Sequence, residues 1–147
     1  MNIHIHNNYG NGTEGYQNIN VNTKGFIEQL NDLCMDAEAE HIIIEHSLRC
    51  ISNPLELVEV AMRKLHHGGT LTIVDVDTKR LAYDYAGYGA ISQAEFNEAL
   101  FGVKEQPYLS TAAAKDVITH IEKSSYKLTI IKQSFSGYEY TIIARRN

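Results

Sequence analysis

The sequence has few of the residues and patterns that mark several classes of protein. Cys34 and Cys50 are its only cysteines, too few for a disulfide framework, and they favour a reducing, cytoplasmic setting. No apolar run approaches the roughly 20 residues that a membrane-spanning helix needs. No basic start followed by an apolar stretch indicates a signal peptide. We therefore predict an intracellular protein that does not cross a membrane.

Basic residues are scarce in the first part of the chain. Residues 1–60 carry nine acids against only Lys24 and Arg49, whereas the remaining residues carry nine acids and eleven bases. Phosphate contacts need clustered lysines and arginines, so this distribution argues against nucleic acid as the main partner. The length of 147 residues and a hydrophobic content of 44% are typical of one globular domain. We predict a single domain over residues 1–147.

The first half of the chain alternates predicted strands with predicted helices. Its β-branched and alternating segments predict strands over residues 2–6, 16–21, 40–46 and 70–76. Residues 24–33 are compatible with a helix or with a strand and a turn. A helix over residues 54–65 is indicated by Asn53 as N-cap, Pro54 in the first turn and Glu56 two residues later. The pair Gly68 and Gly69 is predicted to stop that helix.

The second half predicts more helix and then a closing hairpin. Segments 79–85 and 92–101 come first, separated by a loop over residues 86–90, and the second segment begins with a capping-box pattern. A helix is predicted over residues 111–123. Strands over 127–134 and 138–145 flank a turn at Ser136 and Gly137, so the last strand should be antiparallel. The fold class predicted is α/β: a mostly parallel sheet flanked by helices, with an antiparallel C-terminal hairpin.

Two motifs on either side of the helix at 54–65 resemble those of one enzyme family. The first corresponds to a family motif H-V-L-E-H-I and is matched by His46, Leu48 and Ile51. The second corresponds to R-x-L-K-P-G-G-x-L-x-I and is matched by Arg63, Leu65, Gly68, Gly69, Leu71 and Ile73. In this order and spacing the chain resembles the Rossmann-like (class I) methyltransferases that depend on S-adenosylmethionine (SAM). The resemblance implies a Rossmann-like fold, SAM as cofactor and a methyl acceptor as substrate.

The same resemblance assigns the cofactor-binding positions near the N-terminus, and there the chain departs from the family. His6 and Asn8 stand where the family has two glycines, with Gly10 as part of a displaced turn, and Asn20 stands where it has an acid. Glycines let the backbone approach a cofactor closely, and the acid accepts hydrogen bonds from ribose hydroxyls. An asparagine in its place lacks the charge, so its hydrogen bonds should be about half as strong.

The family's acid and histidine after the third strand are also replaced, because that position reads Leu48-Arg49-Cys50. His46 and Asp75 are the remaining polar residues predicted at the ends of adjacent parallel strands. One hypothesis makes His46 a base or substrate contact and Asp75 its orienting partner. The alternative is that both cap their strands by bonding to the backbone.

Other clusters have a functional and a structural interpretation. His4 with His6, and His66 with His67, suggest metal binding, but adjacent histidines rarely reach one ion and no further ligand pattern accompanies them, so we predict no metal. Tyr83, Tyr85 and Tyr88 could form an aromatic lid over a ligand. Ordinary packing or a homo-oligomer interface is the alternative for these tyrosines.

Two hypotheses of function follow from these residues. The first is a small SAM-dependent methyltransferase with an unidentified acceptor. The second is a non-catalytic methyltransferase-fold module that serves as a structural or assembly subunit, for example in a virus particle. Only nine residues separate His6 from Tyr16, whereas a helical crossover between parallel strands needs about a dozen. The N-terminal, cofactor-binding part of the fold is therefore predicted to be reduced.

Overall fold

A computed structural model of the chain describes residues 1–7, 13–87, 95, 99 and 113–147. The strands form one six-stranded sheet in the order β2-β1-β3-β4-β6-β5. Their bounds are β1 Asn2–His6, β2 Gln17–Asn20, β3 Ala39–Glu45, β4 Leu65–Val76, β5 Leu128–Ser136 and β6 Glu139–Arg146. The first four strands are parallel, and β6 runs antiparallel to both β4 and β5. The predicted fold class is confirmed.

The helices lie between the strands in the chain. They are α1 Phe26–Leu33, α2 Pro54–Lys64, α3 Thr78–Ala82 and α4 Ala114–Glu122, with a short 3-10 turn at Leu48–Cys50. Residues 24–33, left open from the sequence, thus contain a helix. A π-helical turn, Tyr83–Gly87, continues α3 and takes in the first two residues of the predicted loop at 86–90. Residues 88–90 and most of 92–101 lie outside the described part.

The hydrophobic core occupies one face of the sheet. Alternate strand residues such as Ile5, Ile44 and Ile73 are fully buried in one cluster with residues of α1, α2 and α4. On β3 and β4, residues that alternate with them, such as Ile43, Thr72 and Val74, are only half-buried. Parallel sheets usually bury both faces under helices. In the described part of this chain the three longer helices pack against one face only.

The short connection from β1 to β2 agrees with the predicted reduction of the N-terminal part. The two strands are parallel neighbours, and Ile5 pairs with Ile19 in their register. Apart from residues 8–12, which lie outside the description, the residues joining them form no helix. Thr13 anchors the connection to the half-buried sheet face, because its Oγ1 lies 3.0 Å from Nδ1 of the buried His4.

Two details of α2 differ from the sequence expectation. Asn53 does not cap the helix backbone with its side chain; its Nδ2 instead donates to Glu56 Oε2 at 3.0 Å. Gly68 and Gly69 do not stop the helix, which ends at Lys64 and passes directly into β4. The glycines lie within β4 beside a register irregularity between Ala39 and His41. Gly69 lets the two strands approach closely, whereas Gly68 has open space around it and a positive φ of 86°.

We expect Gly69→Ala to lower the free energy of unfolding by about 1–3 kcal/mol, because a new methyl group would be overpacked. A Cβ at position 69 would lie 2.8 Å from the carbonyl oxygen of Glu40 and 2.9 Å from that of His66. Both obstacles are backbone atoms. Urea unfolding followed by circular dichroism measures the loss. Gly68→Asn is the matched control, because position 68 is open and asparagine tolerates its positive φ of 86°. Equal losses in both variants would contradict the steric explanation.

Candidate functional site

The sheet changes direction of winding between β1 and β3. The chain goes from β1 to β2 on one side and then crosses to β3 on the other side of β1. In open α/β sheets, ligands bind outside the carboxyl ends of the strands at this switch point. The residues that follow β1, β2, β3 and β4 therefore form the candidate site.

Asn7, directly after β1, fills the switch point and was missed by the sequence reasoning. Its side chain is fully buried. Its Nδ2 donates to the His46 carbonyl oxygen at 2.6 Å and lies 3.4 Å from Cys50 Sγ. Its own carbonyl oxygen accepts from Asn22 Nδ2 at 3.1 Å. Asn7 thus ties together the ends of three strands, and the sequence signal for this was an amide residue directly after a buried strand.

A buried ion pair joins the ends of β3 and β4. Arg49 Nη1 donates to Asp75 Oδ1 at 2.8 Å, and the two side chains are 2% and 0% exposed. Asp75 also accepts backbone N–H bonds, from Leu48 at 2.9 Å and from Val76 at 2.7 Å. The carboxylate is therefore compensated by a cation and by two dipoles, as burial of a charge requires.

Arg49 also determines which nitrogen of His46 carries the proton. Arg49 Nη1 lies 2.9 Å from His46 Nδ1. Because a guanidinium only donates, Nδ1 must accept, and the hydrogen of the neutral ring is then on Nε2. Nε2 lies 3.5 Å from Glu139 Oε2 at the start of β6. His46 and Asp75 do lie together at the ends of adjacent strands, and Arg49 joins them.

The cofactor positions assigned by resemblance lie at the ends of β1 and β2. His6 and Asn20 are directly opposite each other in the strand register. Burial, and then the charge of His4, lower the pKa of His6, so its ring is neutral near pH 7. Asn20 Oδ1 accepts from the Asn22 backbone N–H at 2.9 Å. Asn8 and Gly10 lie outside the described residues.

A cavity of about 380 Å³ opens beside the switch point. Its walls are residues 21–25, the ring of Phe26 and residues 50–52. This volume lies within the range of about 300–1,000 Å³ typical of small-molecule sites. Burial raises the pKa of Cys50, so the thiol facing this cavity is protonated at neutral pH. We call this space the switch-point cavity.

The residues around the switch-point cavity fit an adenosyl group. Val21, Phe26 and Ile51 provide apolar walls for a flat base. Asn20, the last residue of β2, does not itself line the cavity but directly precedes the lining residue Val21. Its side-chain amide can donate hydrogen bonds to the hydroxyl oxygens of a ribose held there. Its Oδ1 already holds the following turn. The fit is therefore good in size and apolar surface, and ribose would be recognised by amide hydrogens in place of a carboxylate.

The tyrosines and histidines outside the site are held in local contacts. Tyr83 is 56% exposed on the π-helical turn and Tyr85 is half-buried, while Tyr88 lies outside the described residues. Among the described residues, no group of three or more histidine, cysteine or acidic side chains could hold a metal ion. No helix in the described part of the chain is long and apolar enough to cross a membrane.

Comparison with known proteins agrees with this architecture. No protein-family model and no curated protein matches the sequence. A SAM-dependent methyltransferase from Aquifex aeolicus superimposes over 100% of this chain and 82% of its own, with a TM-score of 0.56 and 14% identity. A protein from Pyrococcus horikoshii does so over 99% and 82%, with a TM-score of 0.56 and 13% identity. The chain has the fold of SAM-dependent methyltransferases.

An O-methyltransferase family protein from Burkholderia thailandensis also has this fold, with a TM-score of 0.55 and 12% identity. The match covers 90% of this chain but only 35% of the Burkholderia protein, so this chain spans about a third of that relative. Identities this low establish the methyltransferase fold alone. Cofactor binding, acceptor and activity have to be argued from the residues of the chain itself.

Proposed function

We propose that this chain is a SAM-dependent methyltransferase that binds its cofactor at the carboxyl edge of the sheet. The observation that carries the proposal is the switch-point cavity of about 380 Å³, which lies where ligands of open α/β sheets bind. SAM would supply an electrophilic methyl group there. The task of the protein is then mainly to position an acceptor in line with that group.

Some residues of the chain would bind the cofactor, and others would orient the methyl acceptor. Phe26 and Ile51 would exclude water from the base of the cofactor, and Asn20 would donate amide hydrogen bonds to its ribose. Asn7 fixes the distance between the ends of β1 and β3 through its 2.6 Å bond to the His46 carbonyl oxygen. On the acceptor side, His46 presents Nε2–H near the half-exposed Glu139. In this arrangement the Nε2–H group of His46 donates a hydrogen bond that orients the methyl acceptor. To act as a base, His46 would have to give up its contact with Arg49.

Isothermal titration with SAM and with S-adenosylhomocysteine tests the proposal. We expect measurable binding of both compounds to the wild-type chain. Asn20→Asp should bind them about tenfold more tightly, because a carboxylate makes charge-assisted bonds to ribose and tenfold corresponds to about 1.4 kcal/mol. The carboxylate can still accept from the Asn22 N–H, so the turn is retained.

Gln17→Glu is the matched control, because it introduces the same charge at an exposed position of the same strand, three residues further from the edge. Its affinity for both compounds should equal that of the wild type. Absence of binding to the wild type at millimolar concentrations, with no gain from Asn20→Asp, would contradict the methyltransferase proposal.

A second candidate function is a non-catalytic methyltransferase-fold module that acts as a structural or assembly subunit. The replacement of the family's acid by Arg49 favours it, because this cation is 2% exposed and is engaged by Asp75. The side chain is thereby held in a structural contact. The same titrations separate the two candidates, since a module of this kind binds neither compound.

A further inference from the structure

A second cavity, of about 440 Å³, lies between α2 and α4 on the helical side of the sheet. It shares no lining residue with the switch-point cavity. Its floor is apolar and includes Pro54, Leu55 and the buried Val117. We call this space the interhelical groove.

One face of α4 supplies most of the polar rim of the interhelical groove. Asp116, Thr119, His120 and Lys123 all line it. Thr119 and His120 are adjacent, and each lies three or four residues from both Asp116 and Lys123, so all four are on one side of the helix. His120 is already paired with α2, because its Nε2 lies 3.0 Å from Glu59 Oε2.

The two remaining charged residues of the lining, Asp116 and Lys123, lie about two turns apart along α4. Asp116 and Lys123 are exposed, and neither takes part in an ion pair among residues 1–7, 13–87 and 113–147. Seven residues of helix separate them by about 10.5 Å along the axis. An acid and a base about two helical turns apart beside an apolar floor are complementary to a molecule with an ammonium, an apolar middle and a carboxylate.

We propose that the interhelical groove binds a linear ω-amino acid. The ammonium group contacts Asp116, the methylene chain lies over Leu55 and Val117, and the carboxylate contacts Lys123. The inference goes beyond the proposed methyltransferase activity and does not depend on it, because the two cavities are separate.

Titration of the full chain with ω-aminooctanoate (called aminooctanoate below), octanoate and octylamine tests the proposal. We expect aminooctanoate to bind at least tenfold more tightly than either compound with a single charged group. Asp116→Asn should abolish the preference over octanoate, and Lys123→Met should abolish the preference over octylamine. Both substitutions replace exposed side chains, so neither should affect folding.

Glu122→Gln is the matched control, because Glu122 is exposed on α4 but does not line the groove. It should bind aminooctanoate as the wild type does. Thr119→Arg fills the groove and should abolish binding of all three compounds. Equal affinity for the three compounds, or binding that Thr119→Arg leaves unchanged, would overturn the proposal. Titration with S-adenosylhomocysteine should give the same result in every groove variant, so failure here is distinguishable from failure of the proposed function.

Discussion

Arg49→Met is expected to lower the free energy of unfolding by about 3–5 kcal/mol, the largest effect of any single change considered. Arg49 and Asp75 are 2% and 0% exposed, and their side chains meet at 2.8 Å. Removing the cation leaves the carboxylate buried beside the backbone N–H groups of Leu48 and Val76 but without a positive charge. The cost is therefore mainly that of an unpaired buried charge, and loss of a hydrogen bond is the smaller part.

Urea unfolding followed by circular dichroism measures this loss. Adding Asp75→Asn to Arg49→Met should recover part of it, because the neutral amide oxygen can still accept from the Val76 N–H while the buried charge is gone. Arg145→Met removes an exposed arginine of β6 and should change the free energy of unfolding by no more than about 0.5 kcal/mol. If Arg49→Met lowers the free energy of unfolding by less than about 1 kcal/mol, other groups must stabilise the buried charge of Asp75.

Lys64→Met is expected to lower the free energy of unfolding by about 2–4 kcal/mol, because it leaves two carbonyl oxygens without their charged donor. Lys64, the last residue of α2, is 4% exposed. Its Nζ donates to the carbonyl oxygens of Asn31 at 2.9 Å and Cys34 at 2.8 Å, near the end of α1. The last carbonyls of a helix lack partners within it, and a cation suits that end of the helix dipole.

Denaturant unfolding checks this loss against Lys79→Met, which removes an exposed lysine and should be close to neutral. Methionine keeps most of the apolar stem of Lys64, so a loss as small as that of the control would mean that stem packing, and not the ammonium, holds the two helices together.

The pKa of Asp36 can be measured as a second test of the Lys64→Met variant. Lys64 Nζ lies 3.1 Å from Asp36 Oδ1, and this hydrogen bond is the main reason why the pKa of Asp36 is lowered. A lowered pKa in the folded state gives stability that is present above the unfolded pKa of about 3.9 and is lost as the pH falls through the folded value. In Lys64→Met, an NMR titration should show the pKa of Asp36 rising toward its ordinary value.

The main elements of the fold were predictable because their signals are local. Pro54 after a polar residue indicates a helix start, and the β-branched run from Ile42 to Ile44 indicates a strand. In each case the signal lies within a few residues of the feature, so neighbours in the chain suffice to read it. Burial of the strand at Ile42 to Ile44 on both faces was not predictable in this way, because Ile43 is only half-buried.

The sequence-based prediction was wrong where a residue pattern typical of one local structure is required instead by a contact in the tertiary structure. Gly68 and Gly69 follow α2 closely enough to suggest a helix stop. Glycine is needed at position 69 because a Cβ there would lie 2.8 Å from the carbonyl oxygen of Glu40 on the adjacent strand. That neighbour is 29 residues away in the sequence. Periodicity within one segment carries no information about such an approach.

The sequence by itself determined the alternation of strands and helices, the closing hairpin and the departure from the methyltransferase motifs at His6, Asn20 and Arg49. Only the tertiary structure decided what those departures do. Crossovers bring the ends of β1, β3 and β4 together, so that Asn7 reaches the His46 carbonyl oxygen and Arg49 reaches Asp75. These partners are separated by 39 and 26 residues. The sequence specifies the chemistry of each side chain, but the order of the strands in the sheet determines which side chains are in contact.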